Sequence, residues 1–238
     1  MRNFITITLL FVATLVSAQP LDDVIAKHFE AMGGKEKWAS LESIKMTAKL
    51  SIGQGMEAPV TLIVTNKPMN GSYSEFSVMG MTGKMCVTDK EGWSLMPFQG
   101  KKNAEPMPED QAKQQRKALD IQGPLFNYQQ KGHTAEWVGK EEVDGTEVHK
   151  IKCTLNDKQS TVYYYIDAQD YLLLKEETIY KFKDKEIKEK QEYSNYQKNE
   201  YGIMVAMTQT NSMGVMEIEK FECNVAVDPA IFKMPAKN

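Results

Sequence analysis

Apolar and polar residues alternate along most of the chain with a period of about two, which is typical of strands that bury one face. Near the start, for example, Ile44, Met46 and Ala48 alternate with Lys45 and Thr47. Comparable stretches follow one another almost to the C-terminus, joined by short turns rich in Gly, Asn and Asp. Because strand follows strand through short links, the pattern predicts a mainly β fold of the α+β class, with about eleven antiparallel strands.

Three segments have helical spacing instead. Apolar residues recur every third or fourth position over 21–32, where two glycines at 33–34 end the helix, and a short second helical turn is expected at 35–41, burying Trp38 and Leu41. The third segment, 108–122, carries few apolar residues. It is interpreted either as a mobile flap or as an ordinary solvated helix that crosses the sheet, and both interpretations stay open.

The first residues have the character of an export signal. Arg2 precedes an apolar run at 4–16, and Val16 and Ala18 occupy the small-residue positions of a signal-peptidase site. The run is too short to span a bilayer comfortably, which favours a signal peptide over an uncleaved membrane anchor. We therefore expect a signal peptide at 1–18, cleaved after Ala18, one domain at 19–238, and a location in the periplasm.

Composition excludes several classes of function. The formal net charge of −3 provides no basic excess for phosphates, so we expect no nucleic-acid partner. Three cysteines cannot build a disulfide scaffold, and we expect neither a metal nor a cofactor. His133 and His149 lie on adjacent predicted strands, but no third metal ligand is indicated. The common hydrolase, zinc-protease, phosphate-loop and Cys-x-x-Cys motifs are missing, so the protein is predicted not to be an enzyme.

Methionine is the residue type that points to a function. The chain contains 15, and flexible, polarizable methionines suit surfaces that fit apolar ligands of varying shape. A strongly twisted sheet of this size curls, and the helix at 21–32 is too small to cover its whole concave side. We therefore predict an apolar cavity. Its predicted lining consists of apolar residues of the concave face, namely Ile44, Met46, Leu62, Val64, Phe76, Met85, Leu95, Ile166, Leu173, Met204, Met207 and Met216.

A series of short motifs spread over the chain carries a family resemblance. In order, they are AMGGKEKW at 31–38, NKP at 66–68, GW at 92–93, PFQG at 97–100, LFNYQQKGH at 125–133, GKEEVDG at 139–145, YID at 165–167, YL at 171–172, YGIM at 201–204 and FKMP at 232–235. Together they resemble the LolA-like periplasmic lipoprotein carriers, and more closely the proteins known as outer membrane lipoprotein-sorting proteins. The resemblance implies an incomplete β-barrel wrapped around helices, with a hydrophobic cavity between them. It also implies a transport chaperone that shields the acyl chains of a lipid or lipoprotein during outer membrane biogenesis.

The sequence departs from this family at one position. Carriers of this kind resemble one another in having an arginine after the Lys-Pro turn that helps to close the cavity. Here the segment 69–75 has none, and the arginine that remains after signal-peptide removal, Arg116, lies in the predicted helix at 108–122. The resemblance therefore implies lipid binding more directly than it implies delivery of lipoproteins to a receptor.

Three functions remain as hypotheses. The leading one is a non-enzymatic, monomeric carrier of an apolar ligand that contacts a membrane or membrane receptor only transiently. The alternative is a cell-envelope protein-interaction module without lipid cargo, which predicts an exposed apolar patch. The third is a hydrolase with a carboxylate or His133 centre, which predicts titratable groups converging in a cleft.

Overall fold

The computed structural model describes residues 18–53, 55–67, 69–182 and 185–236. The predicted signal peptide, apart from its last residue Ala18, lies outside these ranges, and so does Pro68 of the predicted Lys-Pro turn. The α-helices are α1 (Ala18–Ala31), α2 (Lys35–Ala39) and α3 (Glu109–Gln115). The strands are β1 (Ser43–Ile52), β2 (Met56–Thr65), β3 (Gly71–Val78), β4 (Met81–Thr88), β5 (Gly92–Leu95), β6 (Glu105–Pro106), β7 (Thr134–Val143), β8 (Thr146–Thr154), β9 (Ser160–Asp167), β10 (Leu173–Phe182), β11 (Lys185–Lys198), β12 (Met204–Asn211) and β13 (Gly214–Cys223).

All strands of the described part belong to one antiparallel sheet with the order β6-β5-β4-β3-β2-β1-β13-β12-β11-β10-β9-β8-β7. The pairing of β1 with β13 joins the two halves of the chain at the centre, while β6 and β7 remain as free edges. The predicted mainly β fold with a curled, incompletely closed sheet is confirmed. The sheet has 13 strands rather than about eleven, in part because β6 spans only two residues and is too short to show periodicity.

The inner face of the sheet packs against the two N-terminal helices. Leu21 and Val24 of α1 pack with Ile151 and Ile166, while the region of α2 contributes Leu41 and the half-buried Trp38 to a second core cluster, around Met46, Ala48 and Ile203. None of the helices in the described ranges has the length and apolar character needed to cross a membrane. The helices therefore cover part of the concave face, as the periodicity at 21–32 and 35–41 predicts.

The turn between α1 and α2 is fixed by its contact with β12. Gly33 has a φ of 106°, and a Cβ there would lie 2.4 Å from the carbonyl oxygen of Gly202. One residue away, the backbone N–H of Met204 donates to the carbonyl oxygen of Met32 over 3.1 Å. Only glycine combines this backbone angle with so close an approach, so this turn sets how far both helices stand from β12.

A third core cluster lies on the outer face of the sheet. Tyr73 and Trp93 pack there against Phe232, which belongs to a short 3-10 helix at Pro229–Phe232. The Trp93 indole N–H donates to the carbonyl oxygen of Phe232 over 2.9 Å. Leu95 packs against this cluster, two positions from Trp93 on the same strand, so it lies on the outer face and not on the concave face predicted for it.

The segment predicted as a helix at 108–122 forms a strap across the sheet. We use this name for α3 together with the 3-10 helix Arg116–Leu119 that follows it. On one side, the Arg116 Nε donates to the carbonyl oxygen of Thr88 over 3.0 Å. On the other side, the Lys117 Nζ donates to Ser160 Oγ over 2.8 Å and lies 4.9 Å from the centre of the Tyr180 ring. The strap is therefore tied to both halves of the sheet.

Candidate ligand cleft

A cleft of about 360 Å³ lies where the helices leave the concave face uncovered. Its walls come from α1, α2, the loop after the strap, and the strands β1 and β9 to β13. The lining residues are His28, Phe29, Met32, Trp38, Ile44, Asp120, Ile121, Gln122, Gly123, Pro124, Leu125, Tyr164, Leu173, Glu176, Tyr193, Tyr196, Met204, Val205, Ala206, Gln209 and Phe221. Most of these side chains are apolar or aromatic, so the cleft presents a mainly apolar surface beside α1.

One row of side chains across the sheet makes part of this surface polar. Tyr164, Glu176, Tyr193 and Gln209 lie on four successive strands, β9 to β12, where Tyr164 is the register partner of Glu176 and Tyr193 that of Gln209. Glu176, Tyr193 and Gln209 also border a second, polar cavity of about 470 Å³. Three residues of the row therefore lie at the boundary between the mainly apolar cleft and this more polar cavity.

The hydrogen bonds in this row are incomplete. The Tyr193 hydroxyl donates to Glu176 Oε2 over 2.8 Å, and burial raises the pKa of the Glu176 carboxyl above its usual value although this hydrogen bond acts in the opposite direction. Glu176 is partly accessible because it borders both cavities. The buried Tyr164 hydroxyl has no hydrogen-bond partner in the part of the chain that the structure describes. Such a group stays unsatisfied unless water or a ligand reaches it.

The other titratable groups of the cleft are already engaged. Asp120 forms an ion pair with Lys131, whose Nζ lies 2.6 Å from Asp120 Oδ1. The His28 ring Nδ1 donates to the carbonyl oxygen of Tyr171 over 2.8 Å, and burial lowers the His28 pKa below its usual value despite this hydrogen bond. Among the described residues that line the cleft, none is Lys or Arg. The titratable side chain of the cleft without an ion-pair partner among the described residues is therefore Glu176, which is negative when it is ionised.

A gap in the sheet adjoins the cleft. The strands β12 and β13 pair only from Thr208 to Asn211, and before Thr208 they separate. A cavity of about 520 Å³ lies beside this gap, with Met207 and Phe221 among its lining residues. Phe221 lines the cleft as well, so this residue borders both the cleft and the cavity beside the gap.

The predicted lining residues are distributed over several places. Ile44, Leu173 and Met204 line the cleft. A second group packs into the core beside α2, namely Met46, Leu62, Met207 and Met216. Ile166 is fully buried beneath α1. Val64, Phe76 and Met85 share the inner face of β2 to β4 with Met46 but do not line the cleft, and Leu95 lies on the outer face.

The polar row is the part of the site that sequence reasoning missed. Strict alternation from Leu173 would turn Lys175 and Glu177 inward, but the register shifts between Leu173 and Lys175 and places Glu176 on the inner face instead. Gln209 falls on an inner position that alternation allows, yet a single inward amide gives no signal of a site.

The two histidines of the sequence analysis do not meet. His133 precedes β7, and its Nδ1 accepts from the backbone N–H of Asn156 over 3.0 Å. His149 lies in β8 opposite Lys140, and its ring stacks on Tyr171 with 5.7 Å between ring centres. The described residues include no group of three or more His, Cys, Asp or Glu side chains with metal-binding geometry.

The cysteines have the environment of structural residues. Cys86 and Cys153 are buried, Cys223 is half-buried, and all are free thiols. Burial raises the thiol pKa of Cys86 to about 12 and that of Cys153 to about 11. Because the thiolate is the reactive form, both thiols are poorly reactive at neutral pH.

Comparison with known proteins places the fold. No protein-family model and no curated protein matches the sequence. Among solved structures, a DUF1329 family protein from Desulfovibrio piger is similar with a TM-score of 0.58 and 13% identity, covering 90% of this chain and 97% of that one. A putative outer membrane lipoprotein-sorting protein domain from Vibrio parahaemolyticus is similar with a TM-score of 0.53 and 15% identity, over 88% and 94%.

A LolA superfamily protein from Nitrosomonas europaea is similar with a TM-score of 0.54 and 14% identity, over 92% of this chain and 98% of that one. These similarities extend over nearly the whole of each chain, and they confirm the fold that the sequence resemblance implies. The curled sheet wrapped around two N-terminal helices is thus the LolA-like fold.

Proposed function

We propose that this protein is a non-enzymatic periplasmic carrier or binding protein that holds an apolar ligand, such as the acyl chains of a lipid or lipoprotein, in the cleft. The observation that supports it most directly is the cleft itself: about 360 Å³ of space, lined mainly by apolar side chains, beside α1. This volume falls within the range of small-molecule sites, which is roughly 300–1,000 Å³. The LolA-like fold of lipoprotein-sorting proteins supports the same function.

The energetics of such binding need no catalytic group. Each methylene transferred from water to an apolar surface contributes about 0.8 kcal/mol, so a long acyl chain contributes roughly 10 kcal/mol before the losses of freedom on binding. In this proposal residues 19–238 form one domain, the protein reaches the periplasm after cleavage behind Ala18, and it acts as a monomer that meets a membrane or receptor transiently. A role in outer-membrane lipoprotein sorting is the most specific form of the proposal.

The test is to fill the cleft with a larger side chain. Ala206 lines the cleft on β12, and Ala206→Phe is expected to reduce the affinity for a fluorescent fatty acid by at least about tenfold, because the ring occupies ligand space. The matched control is Thr208→Phe on the same strand. Although Thr208 lies only two positions from Ala206, their partners differ. Ala206 pairs with Tyr196 of the cleft lining, whereas Thr208 pairs with Ser194 and Glu217, both exposed, so the control ring points away from the cleft.

Native mass spectrometry completes the test. Protein purified from a membrane-containing extract is expected to carry a lipid that Ala206→Phe lacks and Thr208→Phe retains. Wild-type protein without lipid and without fatty-acid binding would overturn the carrier proposal. Recovery of one stoichiometric protein partner instead would favour the interaction-module alternative.

A further inference from the structure

We infer that the ligand carries a cationic amine at its polar end, which the cleft holds against Glu176 among the rings of Tyr164, Tyr193 and Tyr196. This inference rests on the proposed function, since it names the head group of the ligand whose apolar part occupies the rest of the cleft. The probe that represents this chemistry is an alkyl chain with a terminal ammonium group.

Two neighbouring carboxylates on β10 have contrasting surroundings. Glu177, on the outer face, forms ion pairs with Lys175 at 2.9 Å and Lys188 at 3.2 Å. Glu176, on the inner face, accepts one hydrogen bond from Tyr193 and has no cationic partner among the described residues. Carboxylates inside proteins are normally paired, because removal from water without a partner is unfavourable. A ligand cation would complete the pairing of Glu176.

Aromatic side chains share the cleft with Glu176. The side chains of Tyr164, Tyr193 and Tyr196 line the same cleft as Glu176. The hydroxyl of Tyr196 donates to the carbonyl oxygen of Leu173 over 2.7 Å and that of Tyr193 to Glu176, so both rings are held in place. Cations bind to aromatic faces, and a cluster of such rings is the usual device for recognising ammonium groups. The buried Tyr164 hydroxyl, which lacks a partner, offers one further acceptor for an ammonium N–H.

The remaining titratable groups of the cleft disfavour an anionic head group. The lining contains no Lys or Arg among its described residues, Asp120 is neutralised by Lys131, and burial keeps His28 in its neutral form. A carboxylate or phosphate head group would therefore face Glu176 without a compensating cation. An alcohol would find a hydrogen-bond acceptor but no ion pair.

The experiment compares dodecylamine, dodecanol and dodecanoate, which share one chain and differ in the head group. Binding is measured calorimetrically with the purified protein, below the concentration at which these amphiphiles aggregate. We expect dodecylamine to bind at least about tenfold more tightly than the other two, as a charge-assisted pair and ring contacts imply. Glu176→Gln is expected to abolish this advantage and to leave dodecanol binding within about threefold of wild type.

The matched control is Glu177→Gln, which removes a carboxylate from the adjacent position on the outer face and is expected to keep the amine preference. Retained dodecanol binding by Glu176→Gln shows that this variant is folded. Equal binding of the three ligands to wild-type protein, or tightest binding of dodecanoate, would overturn the head-group inference while leaving the carrier proposal intact. If none of the three binds, both fail together.

Discussion

Glu176 occupies a position at which burial makes the ionised carboxylate unfavourable for the folded chain. Burial raises its pKa above the usual value of 4.5, which means that the folded state binds the proton more tightly than the unfolded state does. Stability attributable to this group is therefore lost as the pH rises through and above that value. A destabilising group of this kind is typical of binding sites, where the needs of function oppose stability.

The stability of Glu176→Gln tests this reading. We expect the variant to be more stable than wild type at neutral pH by about 1 kcal/mol, with the gain shrinking as the pH falls towards about 4.5. Urea denaturation at a series of pH values measures it. Glu177→Gln should behave in the opposite way, because hydrogen bonds from Lys175 and Lys188 outweigh burial and lower the Glu177 pKa to about 2. Equal effects of the two substitutions would contradict this account.

His28 provides a second pH dependence at the residue scale. Its pKa lies below the usual 6.5 because it is buried, so the unfolded chain takes up a proton that the folded chain resists. The contribution of His28 to stability is therefore present above about pH 6.5 and is lost as the pH falls. We expect His28→Gln, which keeps an N–H donor but does not titrate, to become progressively more stable relative to wild type between neutral pH and mild acid. A pH-independent difference would show that His28 does not titrate on unfolding.

At the scale of elements, the strap is the segment whose local opening is expected to cost little free energy. Its helix α3 buries Ala112, while Arg116 and Lys117 bind opposite halves of the sheet. The sequence left a flap and a solvated crossover helix open, and the structure shows a segment held by a few polar contacts at each side. Few buried apolar contacts mean a low local free energy of opening.

Weakening one attachment of the strap should speed ligand exchange. We expect Lys117→Met, which removes the hydrogen bond to Ser160, to raise the dissociation rate of a bound fatty acid about fivefold, corresponding to about 1 kcal/mol. The exposed Lys113 on the same helix supplies the control, Lys113→Met. Stopped-flow displacement measures both rates. Equal rates for the two variants would show that the strap does not gate the cleft.

The elements also show how much of the structure the alternation of apolar and polar residues predicts. Alternation over 44–52 identifies β1 and its inner residues correctly, because a half-buried strand in regular register obeys a period of two. It fails in β10, where the register shift turns Glu176 inward. It also cannot tell a core methionine from a lining one: Met46 and Met204 are both on inner positions, but only the second borders the cleft, because the coverage by α2 is set by tertiary packing. The fold was thus predictable, whereas most of the site was not.

At the scale of the whole molecule, exposed methionines lie together at one end of the strands of the sheet. The hairpin turns β1–β2, β3–β4 and β12–β13 lie at the same end of the strands. The reason is that β1 and β3 run in one direction and β13 runs in the other. Met56, Met79, Met81 and Met213 lie at or beside these turns and are exposed, Met79 to 82% and Met213 to 63%. Apolar side chains clustered at one end of the sheet are typical of a surface that contacts a membrane or another protein.

Removing two of these methionines tests the contact. We expect the double variant Met79→Ser and Met213→Ser to transfer a fluorescent lipid to vesicles severalfold more slowly, with unchanged equilibrium affinity for fatty acid. Met234→Ser is the control, since Met234 is exposed to 43% but lies near the outer-face cluster at the C-terminal end. An unchanged transfer rate in the double variant would show that these methionines do not contribute to lipid transfer.

The gap where β12 and β13 separate bears on selectivity. A closed pocket selects ligands by chain length, because a tail that is too long does not fit and one that is too short leaves a void. In the proposed carrier, the gap beside Phe221 would keep the cleft from measuring chain length, because surplus methylenes could extend outward there. Discrimination would then shift from the tail of the bound molecule to its other end, so the proposed carrier would distinguish ligands by what the chain is attached to.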